Sequence, residues 1–281
     1  VPRSTTARLL IPALVIGGSA TAAVLGTRWV ASELAPQHCT FVAADQEVRL
    51  TPEQAANAAT IAAVSVQRGL PPRAATIALA TAIQESKLRN LRYGDADSQG
   101  LFQQRPSQGW GTVEQITDPV YASNAFYDEL IEVQGWDEGV VTEVAQEVQR
   151  SAFPDAYADH EWEGRVLASV LTGQEGTATD LRCRLGDTAG GGSAGQVADK
   201  AATQLGITGT IEGALVRLEA GDPARAWAAA TWAVSHAQAE DVISVQVQDR
   251  TWERSSGEWS QNADDDGAAS TSPTTVVIEM G

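Results

Sequence analysis

Glu85 closes the stretch Ala80-Thr81-Ala82-Ile83-Gln84-Glu85-Ser86, which reads as the end of a helix. Three and four residues back lie Ala82 and Thr81, and Ala78 and Ile77 continue the stripe. A carboxyl on so small and apolar a face loses solvation, and a helix C-terminus is the negative end of its dipole. Both effects disfavour the anion and raise the pKa, as a general acid working near neutral pH requires. A solvated helix-end glutamate accounts for the same residues, so the stripe alone does not decide.

A second carboxylate would decide the reaction. Asp95 and Asp97, in Tyr93-Gly94-Asp95-Ala96-Asp97-Ser98, follow ten and twelve residues after Glu85. A base working beside that acid would need room for a water between the two carboxyls, and either Asp is a candidate. The same residues are strong turn formers, so turn and base stand as equal readings. A calcium loop does not fit, because no EF-hand spacing or terminal glutamate follows. Trp110, between Gly109 and Gly111, is placed either to stack on a sugar or to anchor its loop. With two cysteines and three histidines at no metal-site spacing, neither a metal nor another cofactor is expected.

These residues need a helical frame. Thr51-Pro52-Glu53-Gln54 is a capping box with proline at the first helical position, starting a helix that runs to about Arg68. Gly69 and Pro71-Pro72 stop it, and the next helix runs from about Pro72 to Leu88. Thr112-Val113-Glu114-Gln115 repeats the capping box, and Val120, Asn124, Tyr127 and Ile131 keep helical spacing. Thr142 to Arg150 and Glu161 to Leu171 complete the set. Asn90 to Gly111 has no helical period and reads as a loop or small hairpin. Beyond it, a glycine-rich segment over residues 186–195 reads as a linker. Gln196 to Leu205 and Pro223 to Gln238 read as helices, and Thr210 to Leu218, Val242 to Gln248 and Thr275 to Met280 as strands. Ser255-Ser256-Gly257 marks a hairpin turn. Trp227 and Trp232 suit core packing better than sugar binding, while Trp252 and Trp259 flank the turn and can pair across strands.

Glu85-Ser86 at a helix end, with Gly100-Leu101-Phe102-Gln103 beginning fifteen residues after Glu85, resembles the soluble lytic transglycosylase and goose-type lysozyme superfamily. Its members pair a catalytic Glu-Ser with Gly-Leu-Met-Gln at this spacing, and Gly94-Asp95 is similar to a feature of the hydrolytic ones. Glu85 to Thr112, including Arg105-Pro106-Ser107-Gln108-Gly109-Trp110-Gly111-Thr112, most resembles an uncharacterised family of actinobacterial envelope proteins. The resemblance implies that Glu85 protonates the glycosidic oxygen between N-acetylmuramic acid and N-acetylglucosamine. Ser86 and Gln103 would position sugar or main chain, and Gly100 would keep the backbone close to substrate. The transglycosylases' later Ala-Tyr-Asn segment is absent. Gln149 and Ser151 stand as weak substitutes in that helix, and Tyr157 supplies either a hydroxyl or core packing.

At the N-terminus, Arg3 and Arg8 precede an uncharged run from Leu9 to Gly26. Eighteen residues in a helix span about 27 Å, enough to cross a bilayer core. The run predicts an uncleaved signal anchor, with cleavage at Ala20-Thr21-Ala22 and secretion as the alternative. Either way the bulk is extracytoplasmic, where Cys39 and Cys183 are expected to form a disulfide, the alternative being two buried thiols.

The chain has 281 residues and a net charge of −17, which excludes a sequence-general nucleic-acid binder. With what the resemblance implies, the expected fold class is an α-rich lysozyme-like domain plus a small C-terminal α+β module, with one N-terminal transmembrane helix. The boundaries are a cytoplasmic tip and anchor over 1–32, the lysozyme-like domain over 37–185, the linker over 186–195 and the module over 196–281. The expected function is glycan-strand cleavage in peptidoglycan, by hydrolysis or transglycosylation. The expected partners are glycan strands, the membrane, and an envelope protein bound by the C-terminal module. The alternative is a non-catalytic glycan-binding or wall-assembly scaffold.

Overall fold

The computed structural model describes residues 36–149, 154–174, 180–262 and 272–281. Strands β1 (His38–Ala43) and β2 (Gln46–Leu50) form a hairpin whose turn residues Ala44 and Asp45 lie at φ 50° and 60°. Strand β3 (Leu181–Arg184) pairs with the other edge of β1, giving an antiparallel sheet of order β2-β1-β3. Cys39 faces Cys183 in that pairing and the two form a disulfide. The sheet therefore ties together the two ends of a long helical excursion.

That excursion holds α1 (Pro52–Gln67), α2 (Pro72–Ser86), α3 (Val113–Ile116), α4 (Pro119–Glu132), α5 (Val141–Gln149), a 3₁₀ segment at Pro154–His160 and α6 (Glu161–Leu171). Both capping boxes form: Thr51 with Gln54, and Thr112 with Gln115, each threonine taking the N3 amide proton. Asp118 caps α4 through the amides of Val120 and Tyr121, with Pro119 at the first position. Alanine allows α1 and α2 to be buried on nearly every side. Gly164 of α6 lies against α2, where a Cβ would fall 2.6 Å from the Thr76 carbonyl oxygen.

The C-terminal third contributes α7 (Ala194–Leu205), β4 (Gly209–Glu212), β5 (Leu215–Glu219), α8 (Pro223–Glu240), β6 (Val242–Val247), β7 (Arg250–Glu253), β8 (Glu258–Gln261) and β9 (Thr275–Met280). The strands make an antiparallel sheet of order β4-β5-β9-β6-β7-β8. Trp252 and Trp259 are direct cross-strand partners, and Trp227 meets Trp259 edge to face at 5.4 Å. Helix α8 packs against this sheet and also against α1. At the seam, Trp232 Nε1 donates to Gln204 Oε1 at 2.6 Å, and Thr60 Oγ1 donates to the same oxygen at 3.1 Å. His236 lies beside them, its ionisation pushed down to about 3 by burial. The expected linker is held as well: the Asp241 carboxylate accepts from the amides of Ala189, Gly191 and Gly192. Residues 37–281 form one compact unit.

The expected fold class needs correction. The architecture is mixed α/β with two antiparallel sheets, not an α-rich domain followed by a small α+β module. The three strands of the first sheet are only four to six residues long and come from opposite ends of the helical excursion, so no local pattern announces them. Ala44-Asp45 also lacks the Asn-Gly signature of a tight hairpin turn. The second sheet has six strands and shares its covering helix with the first half of the chain. Among the described residues no helix is long and apolar enough to cross a membrane. The run Leu9 to Gly26, where the membrane helix is expected, lies outside the described residues, as do residues 263–271.

Candidate active site

Helix α2 starts at the Pro71-Pro72 pair and carries Glu85 in its last turn. It stops abruptly because Lys87 and Leu88 both adopt left-handed backbone conformations, φ 54° and 57°. Two side chains of α1 hold this end: Gln54 Nε2 donates to the Lys87 carbonyl and Asn57 Nδ2 to the Leu88 carbonyl, both at 2.8 Å. The terminal carbonyls of α2 thus gain donors that the helix itself lacks.

The Glu85 carboxyl is mostly buried, and burial raises its pKa above the ordinary 4.5. Tyr157 Oη donates to Glu85 Oε1 at 2.7 Å and opposes part of that rise by stabilising the anion. Tyr157 is itself buried and comes from the 3₁₀ segment before α6. Of the two roles open to Tyr157, it takes both: a packed ring whose hydroxyl orients the carboxyl.

Ser86 does not point outward. Its hydroxyl, with 5% of the residue exposed, donates to the Leu101 carbonyl at 2.7 Å, tying α2 to the Gly-Leu-Phe-Gln stretch. Gln149 of α5 reaches the same stretch, donating to the Phe102 carbonyl at 2.8 Å. Leu101 and Phe102 are buried, and Phe102 stacks on Phe126 of α4 with ring centres 4.7 Å apart. Gly100, at φ 82°, packs against α3: a Cβ there would meet the Ile116 carbonyl oxygen at 2.2 Å. That contact, made inside the protein, is sufficient reason for glycine. Gln103 bends over the loop, donating to the carbonyls of Gly100 at 3.2 Å and Tyr93 at 3.4 Å. Its carboxamide lies directly over Gly94.

The two aspartates differ. Asp97 accepts from Arg105 Nε at 2.7 Å, the Ser107 amide at 2.8 Å and the Ser107 hydroxyl at 3.0 Å. These bonds, the Arg105 contact first, pull its pKa down to about 2. Asp95 is exposed, and its carbonyl accepts from the Ser98 amide in a turn that places Ala96 at φ 54°. Trp110 is half-buried and packed on the core, while Gly111 beside it gives way to the Tyr121 ring. Ser151 lies outside the described residues. Tyr93 was not singled out from the sequence, yet at 71% exposure it presents an open aromatic face beside Gly94. The adjacent glycine was the available signal.

Three hydrogen bonds, linked through the adjacent pairs Glu85-Ser86 and Leu101-Phe102, therefore gather Glu85, Ser86, Gln149 and Tyr157 into one cluster. Asp97, Arg105 and Ser107 form a second. The first can deliver a proton from a partly buried carboxyl; the second holds an anion in a fixed loop. Among the described residues, no group of three His, Cys, Asp or Glu side chains could hold a metal ion. No protein-family model matches the chain, and no curated protein matches it.

Proposed function

We propose that this protein cleaves the glycan strands of peptidoglycan with Glu85 as its single catalytic carboxyl, in the manner of the lytic transglycosylases. The observation that carries the reading is the partly buried Glu85 carboxyl oriented by the Tyr157 hydroxyl at 2.7 Å. The Glu-Ser and Gly-Leu-Phe-Gln resemblance supplies the substrate class. A raised pKa enlarges the protonated fraction of Glu85, and that form gives its proton to the glycosidic oxygen as the C1–O bond breaks. The sugar's own 6-hydroxyl then attacks C1, and its proton returns to the Glu85 carboxylate, leaving a 1,6-anhydro end.

Asp97 favours this route over hydrolysis. A carboxylate whose pKa is about 2 and whose oxygens already accept three bonds is a weak general base. The disulfide fits an extracytoplasmic setting, where the substrate lies.

The test incubates the oxidised full chain and its Glu85→Gln variant with isolated peptidoglycan, and analyses the glycan ends by mass spectrometry. The expected result is anhydro-muramyl ends, formed at least about a hundredfold more slowly by the variant. Reducing ends dependent on Glu85 would replace transglycosylation by hydrolysis and promote Asp95 to base. Binding with no new ends would overturn the enzyme reading in favour of a glycan-binding scaffold.

A further inference from the structure

The outward face of the β2-β1-β3 sheet gathers positive charge on a chain whose net charge is −17. Register places it there. Thr40 of β1 is the direct partner of Arg49 on β2 and of Arg182 on β3, so the three side chains form one row across the sheet. His38 and Arg184 form the next row on the same face. The β7-β8 turn, docked by the bond from the Cys183 amide to the Gly257 carbonyl, walls one side. Together they enclose a cleft of about 430 Å³.

Two features of this cleft are unspent. Arg182 and Arg184 are exposed, and neither guanidinium has an ion pair or hydrogen bond among the described residues. Thr40 is only 6% exposed, yet among the described residues nothing pairs with its hydroxyl, which lines the cleft floor. The negative charge present is limited: Glu47 pairs with Arg49 at 2.9 Å, and Glu258 lies on the wall. The Thr40 hydroxyl opens into the cleft, free to donate to whatever enters it, and the arginines flanking it offer forked donors from two sides.

We propose that this cleft binds a phosphate-type oxyanion, with Thr40 donating from the floor and Arg49 and Arg182 from either side. Donors converging from three directions suit a tetrahedral group with several oxygens better than a planar carboxylate. Free phosphate and a phosphodiester polymer share that chemistry. The inference does not rest on the reaction at Glu85.

Calorimetric titration of the full chain with inorganic phosphate, and separately with poly(glycerol phosphate), at matched ionic strength, tests it. The Thr40→Val and Arg182→Gln/Arg184→Gln variants serve as comparisons, with melting temperatures showing that they fold. The expected result is binding of at least one probe, weakened about tenfold or more in both variants. Binding of phosphate names the free ion as sufficient; binding of the polymer alone names the phosphodiester. No binding of either probe overturns the proposal. So does full binding by Thr40→Val, which would leave only a diffuse basic surface.

Discussion

A carboxyl partly buried at the end of α2 costs stability whenever it ionises, and that cost can be measured without knowing the substrate. Glu85 has a folded-state pKa raised above its unfolded value of 4.5 by burial. Its favourable contribution is therefore fully present below the unfolded value and is lost as pH rises through the folded value. Glutamine keeps the shape and an acceptor for Tyr157 but never ionises. The Glu85→Gln variant should consequently melt at a higher temperature than the parent at neutral pH, and the gain should vanish below pH 4.5. Thermal unfolding across that range checks it, and equal melting temperatures at all pH values would refute a raised pKa. A side chain that weakens its own fold at the working pH fits a role in chemistry better than one in packing. Asp97 behaves in the opposite sense: its low pKa of about 2 makes it a stabilising anion at neutral pH.

At the scale of the elements, the site depends on how closely α6 approaches α2. Gly164 makes this approach possible, since a Cβ there would lie 2.6 Å from the Thr76 carbonyl oxygen and 3.0 Å from the Ala80 amide nitrogen. Helix propensity alone predicts that Gly164→Ala gains about 0.5–1 kcal/mol. The structure predicts the reverse, a loss of about 1–3 kcal/mol, because backbone rather than a flexible side chain would have to give way. Urea denaturation decides between the two signs. The 3₁₀ segment that carries Tyr157 runs directly into α6, so the same substitution moves the hydroxyl relative to Glu85. The helices themselves were legible in the sequence because Thr51, Thr112 and the Pro71-Pro72 pair mark their starts in local chemistry. The disulfide between Cys39 and Cys183 was legible too, but the strands β1 and β3 around it were not, because each is short and its partner lies 144 residues away. For the same reason a raised pKa at Glu85 could be expected from its own neighbours, though the stripe alone did not decide its role, whereas its partner Tyr157, 72 residues away, could be read only as an alternative. The neighbours of Ser86 and Gln149 were equally hidden: both side chains turn to carbonyls of the Gly-Leu-Phe-Gln stretch, a contact set by tertiary packing.

At the scale of the whole molecule, the glycine-rich segment over 186–195 has the composition of a flexible tether, yet it runs along a packed seam. The Asp241 carboxylate takes three of its amide protons, which holds the aspartate pKa below the usual value. A Cβ on Gly192 would fall 2.0 Å from the Glu240 carbonyl oxygen, so glycine there serves close approach rather than freedom. Helix α8 is covered on one side by α1 and on the other by the six-stranded sheet, and Gln204 is bonded to Thr60 and Trp232 at once. Separating the two halves would expose those polar groups together with the apolar faces around them, a penalty that couples their unfolding. The Cys39–Cys183 disulfide acts on the same unit by closing a loop of 144 residues, worth about 5 kcal/mol in the chain-entropy account. Denaturant unfolding of the oxidised chain should therefore give one transition, coincident by far-ultraviolet dichroism and by tryptophan fluorescence. Reduction should move that single transition to lower denaturant without splitting it. Two resolved transitions, with the tryptophan-rich C-terminal third melting apart from the helices around Glu85, would mean that the seam between α1 and α8 does not couple them.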